Sequence, residues 1–148
     1  MEEMMKDLTK LQVYLSNLAV WNAKLHNMHW NVVGKMFFQL HEKTEEMYDA
    51  VFAQFDDVAE LIKIKGTFPV ATLGEYVKHA TIKEVQSKTF TTEEVISNLQ
   101  ADLTLLHALA LEIRNDANDV DDFTIVAMFE GYVAEYEKNL WFIQSLNS

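Results

Sequence analysis

Hydrophobic residues recur at three- and four-residue steps through the first part of the chain, which is the pattern of amphipathic α-helices. A first helix is predicted over about 6–32, where the stretch NVVGK interrupts the pattern, and a second over about 37–65. Gly66 and then Pro69 follow the second helix as termination signals. Because the connection between them is short, we expect the two helices to pack as antiparallel neighbours. The buried stripe of the first helix is predicted to consist of Leu8, Leu11, Leu15, Leu18 and Leu25, continued by His29.

Two short motifs mark helix starts in the second half of the chain. TLGE (72–75) and TTEE (91–94) have the spacing of a capping box, in which Thr and Glu side chains satisfy free backbone amides at a helix N-terminus. TLGE predicts a short helix in a long crossover, and TTEE predicts a long helix that ends near Asp116. The acidic turn NDANDVDD precedes a last predicted helix over about 121–145. The inward-facing residues of these two long helices are predicted to be Val95, Leu99, Leu106, Leu109 and Ile113, and Phe123, Val126, Phe129, Val133, Tyr136 and Leu140.

Four long helices with one long crossover predict an all-α, ferritin-like four-helix bundle with a short extra helix between the second and third long helices. The length of 148 residues and the hydrophobic content of 49% fit one domain, spanning 1–148, that can bury a core. The chain has no run of about eighteen apolar residues, and the stretch MEEMMKDLTK lacks the basic and apolar regions of a signal peptide. We therefore expect a cytoplasmic protein that does not enter a membrane.

The chain has no cysteine and a formal net charge of −11 at pH 7. Without thiols, the strong metal ligands that remain are imidazole and carboxylate groups. The 12 Lys and Arg residues are scattered, and the net charge opposes unaided binding to the phosphate backbone of DNA. Cations are the expected partners.

Metal-ligand side chains are concentrated on one face of the second predicted helix. With His41 as the origin of a helical wheel, Glu45 lies at about 40°, Asp56 at about 60° and Glu60 at about 100°. The apolar residues cluster at about 240–300°, so the ligand face is separate from the core face. Glu45 and Asp56 are roughly 16 Å apart along a helix, too far for one metal ion to contact both. Each chain is therefore expected to supply two half-sites. The residues of the core face are Leu40, Met47, Val51, Val58 and Ile62.

The positions of these ligands are symmetric about one point in the helix. The midpoint between His41 and Glu60 and the midpoint between Glu45 and Asp56 are both 50.5. If the helix packs antiparallel against its own symmetry mate at that point, His41 lies opposite the partner's Glu60, and Glu45 lies opposite the partner's Asp56. His29, joined by a short turn, can then complete each of two equivalent sites. Mixed imidazole and carboxylate ligands suit Fe(II), Mn(II) or Zn(II).

Each of these side chains, taken singly, has a simpler explanation, since surface carboxylates are usually solvated and a single histidine is usually structural. The joint pattern is what favours a metal site. The neighbouring aromatics Trp30 and Tyr48 are either packing residues at the interface or accessory redox groups. His26, His79 and His107 fit no ligand pattern. No histidine has a glutamate three positions before it, which disfavours a di-iron centre inside one bundle.

The stretch 25–60 resembles the signature of the Dps proteins, the mini-ferritins of bacteria. The resemblance is carried by the pair His29-Trp30, the block FFQLHEK and the segment DDVAE, and it extends to EKNLW at 137–141. It implies a hollow homododecamer that oxidises Fe(II), preferentially with hydrogen peroxide, at ferroxidase centres between subunits. The ferric product is then stored inside, which protects against oxidative damage. The iron ligands that the resemblance implies are His29, His41, Glu45, Asp56 and Glu60.

The same resemblance raises the questions of DNA and of iron entry. Some relatives bind DNA through lysine-rich tails, but MEEMMKDLTK here has three acidic residues against two Lys, and QSLNS has no charge. DNA binding without bridging divalent cations is therefore not expected.

In the resembled family, the region before the last helix lines a pore. Here that region is an acidic turn that either lines such a pore or caps the helix, with Asp116, Asp119, Asp121 and Asp122. A non-catalytic metal buffer and a DNA-compacting shell protein are the alternatives to a ferroxidase.

Overall fold

The computed structural model describes residues 8–146, which form five α-helices: α1 (Leu8–Asn31), α2 (Phe37–Ile64), α3 (Leu73–His79), α4 (Thr92–Asp119) and α5 (Phe123–Leu146). The described residues contain no β-strand. The predicted bundle of four long helices, with a short helix in the crossover, is therefore confirmed. Residues 6 and 7, where the first helix is predicted to begin, lie outside the described range. Within residues 8–146, no helix combines the length and the apolar character needed to cross a membrane.

The helix ends follow local signals in the sequence. At α4 the capping box is complete, because the Thr91 side chain accepts from the Glu94 amide and the Glu94 side chain accepts from the Thr91 amide. At α3 only half of it forms: Thr72 Oγ1 accepts from the Glu75 amide, while the Glu75 carboxylate accepts the Thr72 hydroxyl. Gly66, with a φ of 100°, follows α2 in a left-handed conformation that a residue without a Cβ adopts at little cost.

Side-chain contacts show that neighbouring long helices run antiparallel. Tyr14 contacts Gln54 in the half of the α1–α2 hairpin away from its turn, and His29 contacts His41 near the turn. Residue numbers therefore fall along α2 as they rise along α1. Ion pairs show the same antiparallel arrangement elsewhere. Helices α1 and α4 are joined by Lys10–Asp116 and Lys24–Asp102. Helices α4 and α5 are joined by Arg114–Glu130 and His107–Glu137.

The apolar stripes of the long helices meet in one core. The five predicted leucines of α1 and the five predicted core residues of α2 are all buried. In α5 the prediction is wrong at Phe123, which is 66% exposed, because the helix begins there and its first side chain projects into solvent. Ile125 is fully buried in its place. Deep in the core, the hydroxyls of Tyr14 and Tyr136 lie within hydrogen-bond distance of each other and of Gln54 Oε1, which accepts.

Candidate metal centre

Two histidines meet where the end of α1 faces the start of α2. His29 Nδ1 lies 2.7 Å from the backbone oxygen of His41, and His41 Nδ1 lies 2.9 Å from the backbone oxygen of His29. Because a carbonyl oxygen can only accept, each Nδ1 carries the proton and donates it. The two rings stack, with centroids 3.7 Å apart and planes inclined by 15°. This reciprocal pairing fixes both rings and leaves each Nε2 free to bind a metal ion.

Glu45 completes a cluster with the two histidines. One ligand atom from each of His29, His41 and Glu45 lies within 4.8 Å of the other two. His29 Nε2 lies 3.9 Å from Glu45 Oε1. The Thr44 hydroxyl supports the cluster from within the helix pair, since it lies 3.1 Å from His29 Nδ1 and donates to the Leu40 carbonyl at 2.7 Å. His29 and Thr44 are buried and Glu45 is exposed, so the cluster reaches the surface through its carboxylate.

A second cluster lies towards the other end of α2. Asp56, Asp57 and Glu60 are all exposed, and each offers a carboxylate oxygen within 4.8 Å of the others. The helical wheel predicts Asp56 and Glu60 as ligands but not Asp57, which falls at about 160°, away from the rest. The pair Asp56-Asp57 in the sequence is the signal that could have added it. Asp57 also faces Tyr132 of α5, whose pKa is raised by burial and, secondarily, by the negative charge of Asp57.

The structure thus places all five predicted ligands in two separate groups. Glu45 and Asp56 are roughly 16 Å apart along the axis of α2, so the two groups cannot hold the same ion within one chain. The first group offers imidazole nitrogens and one carboxylate, and the second offers carboxylates alone. The two groups are chemically complementary, and their union across a two-fold axis stays a prediction.

The two accessory aromatics have different relations to the histidine cluster. The ring of Tyr48 meets that of His29 at 87°, with centroids 5.2 Å apart. Desolvation, and then the charge of Glu45, raises the pKa of Tyr48, so its phenol is neutral at neutral pH. Trp30 is 67% exposed, and its ring contact among the described residues is with His26, at 5.4 Å between centroids. Tyr48 therefore contacts a predicted ligand directly, whereas Trp30 does not.

The predicted acidic turn contains two kinds of aspartate, and part of it is helical: α4 runs beyond its predicted end near Asp116, so Asp116 and Asp119 lie in its last turn. Asp116 pairs with Lys10, and Asp122 pairs with Lys65 at 2.6 Å. Asp122 is only 2% exposed and also accepts from the Thr124 hydroxyl, which leaves it little access to a passing ion. A pore lined by this turn would therefore depend on its exposed members, Asp119 and Asp121. The pore itself stays a prediction.

Comparison with known proteins agrees with this architecture. A family model described as a ferritin-like domain matches residues 8–148. The DNA protection during starvation protein of Helicobacter pylori is 31% identical over 141 residues, which cover 95% of this chain and 98% of that protein.

Two crystal structures resemble the whole bundle. A Dps protein from Bacillus brevis has a TM-score of 0.94 at 31% identity, with 100% of this chain and 99% of that chain covered. A Dps protein from Vibrio cholerae O1, described as a member of a broad superfamily of ferritin-like diiron-carboxylate proteins, has a TM-score of 0.94 at 27% identity, with 99% of this chain and 92% of that chain covered. The helical bundle, its short crossover helix and these similarities show that the chain belongs to the Dps family of ferritin-like proteins.

Proposed function

We propose that this protein oxidises Fe(II) at metal sites that form between two copies of the chain. The observation that supports the proposal is the pair of incomplete clusters along α2, of which the first also includes His29 of α1. The four predicted ligands that α2 itself supplies are symmetric about position 50.5. An antiparallel contact of α2 with a second α2 at that point brings the histidine cluster of one chain to the carboxylate cluster of the other. Each site then contains His29, His41 and Glu45 together with the partner's Asp56 and the partner's Glu60.

The surface of α2 near this midpoint supports such a contact. Phe52 lies less than one helical turn from the midpoint and is 71% exposed. An apolar groove of about 300 Å³ beside it is lined by Leu18, Phe55, Leu73 and Tyr76, among others. Apolar surface of this kind is costly to leave in water, and covering it with a second copy would stabilise the contact.

The donor set fits the chemistry of Fe(II) oxidation. Imidazole and carboxylate ligands suit Fe(II), and the carboxylates favour the ferric state because their negative charge stabilises the higher oxidation state. Hydrogen peroxide accepts two electrons, one from each of two Fe(II) ions. Together with two water molecules, this yields two FeOOH units and four protons. The description of the Vibrio cholerae protein as a relative of diiron-carboxylate proteins is consistent with iron as the substrate.

The later steps of the proposal follow the family resemblance. Ferric product leaves the sites for the cavity of a shell of twelve chains, where the acidic character of the protein would concentrate iron and nucleate oxyhydroxide. We place the protein in the bacterial cytoplasm, where removal of Fe(II) and peroxide protects against oxidative damage.

A mixed assembly of two inactive variants tests the shared site directly. When His41→Ala and Asp56→Ala chains are refolded together, a mixed dimer contains one intact site, built from the unaltered half of each chain. Random pairing should then restore about one quarter of the parental sites. The measurement is the initial rate of peroxide-dependent Fe(II) oxidation, compared with each variant alone.

The matched control mixes His41→Ala with His29→Ala. Both substitutions damage the same half-site, so no pairing restores an intact site and the rate should stay at the level of the single variants. If the first mixture is no faster than this control, the site does not span two chains.

Two alternative functions predict different experimental results. A metal buffer would bind Fe(II) at the same clusters without accelerating its oxidation over that in buffer. A DNA-compacting protein would retard DNA in a gel at physiological salt and neutral pH without added divalent cations, and we expect no such shift. That expectation rests partly on residues 1–7 and 147–148, which lie outside the described residues.

A further inference from the structure

His26 belongs to no ligand pattern, yet its side chain is held from several directions. Its Nδ1 lies 2.7 Å from the backbone oxygen of Asn22 one turn earlier in α1, and therefore donates to it. Its ring stacks on Tyr48 of α2, with centroids 3.8 Å apart and planes inclined by 18°. On another side it meets Trp30 at 5.4 Å between centroids. The imidazole is therefore fixed in place by one hydrogen bond and two ring contacts.

Ring contacts are also what position Tyr48. Among the described residues its hydroxyl forms no hydrogen bond, whereas its ring has His26 on one side and His29 at a near-perpendicular angle. His26 and His29 are three positions apart, so both project from the same face of α1 towards α2. Tyr48 is seven positions after His41, which places these two side chains on the same face of α2. The four rings thus form a continuous row from His26 through Tyr48 and His29 to His41.

The row of rings limits tilting of the His29 ring, which the hydrogen bond of that ring does not prevent. The bond from His29 Nδ1 to the His41 carbonyl fixes one atom of the His29 ring, but the ring can still tilt about that bond. The stacked His41 ring confines the tilt on one side, and Tyr48 confines it from a perpendicular direction. Removal of the His26 ring would leave Tyr48 without its parallel neighbour and free to move away from His29.

We propose that His26 is a positioning residue for the histidine half-site, because its stacked ring holds Tyr48 against His29 and so keeps His29 Nε2 directed at the metal position. This inference rests on the proposed function only in taking the histidine cluster as the metal site. It concerns geometry and affinity, and it makes no claim about the oxidant.

Co(II) binding to the assembled protein measures this role separately from iron oxidation. The readouts are the dissociation constant and the visible absorption of bound Co(II), which reports ligand geometry. His26→Ala should weaken binding by about two- to tenfold, since aromatic pairs contribute about 0.5–1.5 kcal/mol. The absorption should also change. His26→Phe keeps a ring to stack on Tyr48 and should restore most of both properties, which a loss of general stability would not produce.

Variants of the neighbouring residues complete the design. Tyr48→Ala should lower Co(II) affinity as His26→Ala does, whereas Tyr48→Phe should leave it near the parental value. The double variant of His26→Ala and Tyr48→Ala should bind Co(II) no more weakly than Tyr48→Ala alone, because the two residues act through one contact. His107→Ala is the matched control, since His107 pairs with Glu137 on the α4–α5 hairpin, and it should leave Co(II) binding unchanged. If His26→Ala fails to assemble, His26→Leu replaces it in the comparison with His26→Phe, because leucine fills space beside Tyr48 without a ring to stack on it.

The outcomes distinguish the two proposals. Parental affinity and absorption in His26→Ala, or equal losses in His26→Ala and His26→Phe, would overturn the positioning role alone. Absence of a Co(II) site that depends on His29 and His41 would overturn both the positioning role and the proposed function. Co(II) binding that follows the expected pattern in a protein that does not accelerate Fe(II) oxidation would support the positioning role and reject the oxidase.

Discussion

The two ends of α2 carry metal-ligand groups that are prepared in opposite ways. At the first end, the His29 and His41 rings are stacked and each donates Nδ1–H to the other's backbone carbonyl. At the second end, Asp56, Asp57 and Glu60 are exposed, and none of them has a hydrogen bond or an ion pair among residues 8–146. The histidine half-site is therefore rigid at its two imidazoles before a metal ion arrives, whereas no hydrogen bond among these residues fixes the carboxylates of the other.

The difference follows from the chemistry of the two kinds of ligand. A neutral imidazole has one nitrogen with a free lone pair, so its tautomer and ring orientation must be fixed for that nitrogen to face the metal. A neutral ring can also be buried without an opposing charge. A carboxylate has several lone pairs and tolerates rotation, but burying it without a counter-charge is costly. The carboxylate half-site can therefore remain in water until a metal ion and a second chain cover it.

The largest effect is expected when the rigid half-site is removed. Replacing both His29 and His41 by Ala should reduce peroxide-dependent Fe(II) oxidation to the rate in buffer, because the nitrogen ligands of the site are lost. The initial rate of Fe(III) formation measures this. Helical content and oligomeric size should stay close to parental, and parental oxidation in this variant with intact assembly would reject the assigned site.

A smaller effect is expected when the rigidity alone is reduced. Thr44→Val removes the hydroxyl beside His29 Nδ1 but keeps the side-chain shape, and we expect metal affinity to fall by up to about tenfold, as for other groups that orient a ligand. The effect stays below that of losing a ligand because the His41 carbonyl still accepts from His29.

Thr44→Ser keeps the hydroxyl and is the matched control for this measurement. In a Co(II) or Zn(II) titration, Thr44→Ser should bind the metal with nearly the parental affinity, and Thr44→Val should bind it more weakly. Equal affinities for the two variants would show that the Thr44 hydroxyl does not help to orient His29, which the His41 carbonyl and the ring contacts then orient without it.

The smallest effects on iron handling are expected beyond the carboxylate end, where Lys65 at the C-terminus of α2 forms an ion pair with Asp122. Asp122→Asn should lower the free energy of unfolding by about 1–3 kcal/mol, since a charged hydrogen bond is lost from a buried carboxylate.

Asp121→Asn leaves the pair of Lys65 and Asp122 intact. It should instead slow iron loading of assembled shells by about two- to threefold, if exposed carboxylates of the turn attract iron to a pore.

Thermal or denaturant unfolding and the rate of iron loading, measured on both variants, separate these roles. Parental loading in shells of Asp121→Asn would show that the turn only caps α5 and binds Lys65. A stability loss in Asp121→Asn as large as that in Asp122→Asn would contradict the division of the turn into paired and exposed aspartates.

The sequence by itself determined the features that depend on local spacing. Apolar residues at three- and four-residue steps gave the long helices, because side chains at that spacing share one face of an α-helix. The capping box at Thr91 fixed the start of α4 within one residue, since it satisfies backbone amides of that helix alone. The separation of the ligand face from the core face of α2 was predictable for the same reason, and so were the members of both clusters except Asp57.

Only the tertiary structure decided the features that depend on contacts between distant segments. Lys10 and Lys65 reach Asp116 and Asp122 across 106 and 57 positions of the chain, so no local pattern could separate these aspartates from the exposed ones. The reciprocal bonds of His29 and His41 required α1 and α2 to approach until ring nitrogens met the carbonyls of the opposite helix. Spacing along a helix fixes which side of it a residue occupies, whereas the neighbour on that side is set by how the helices pack.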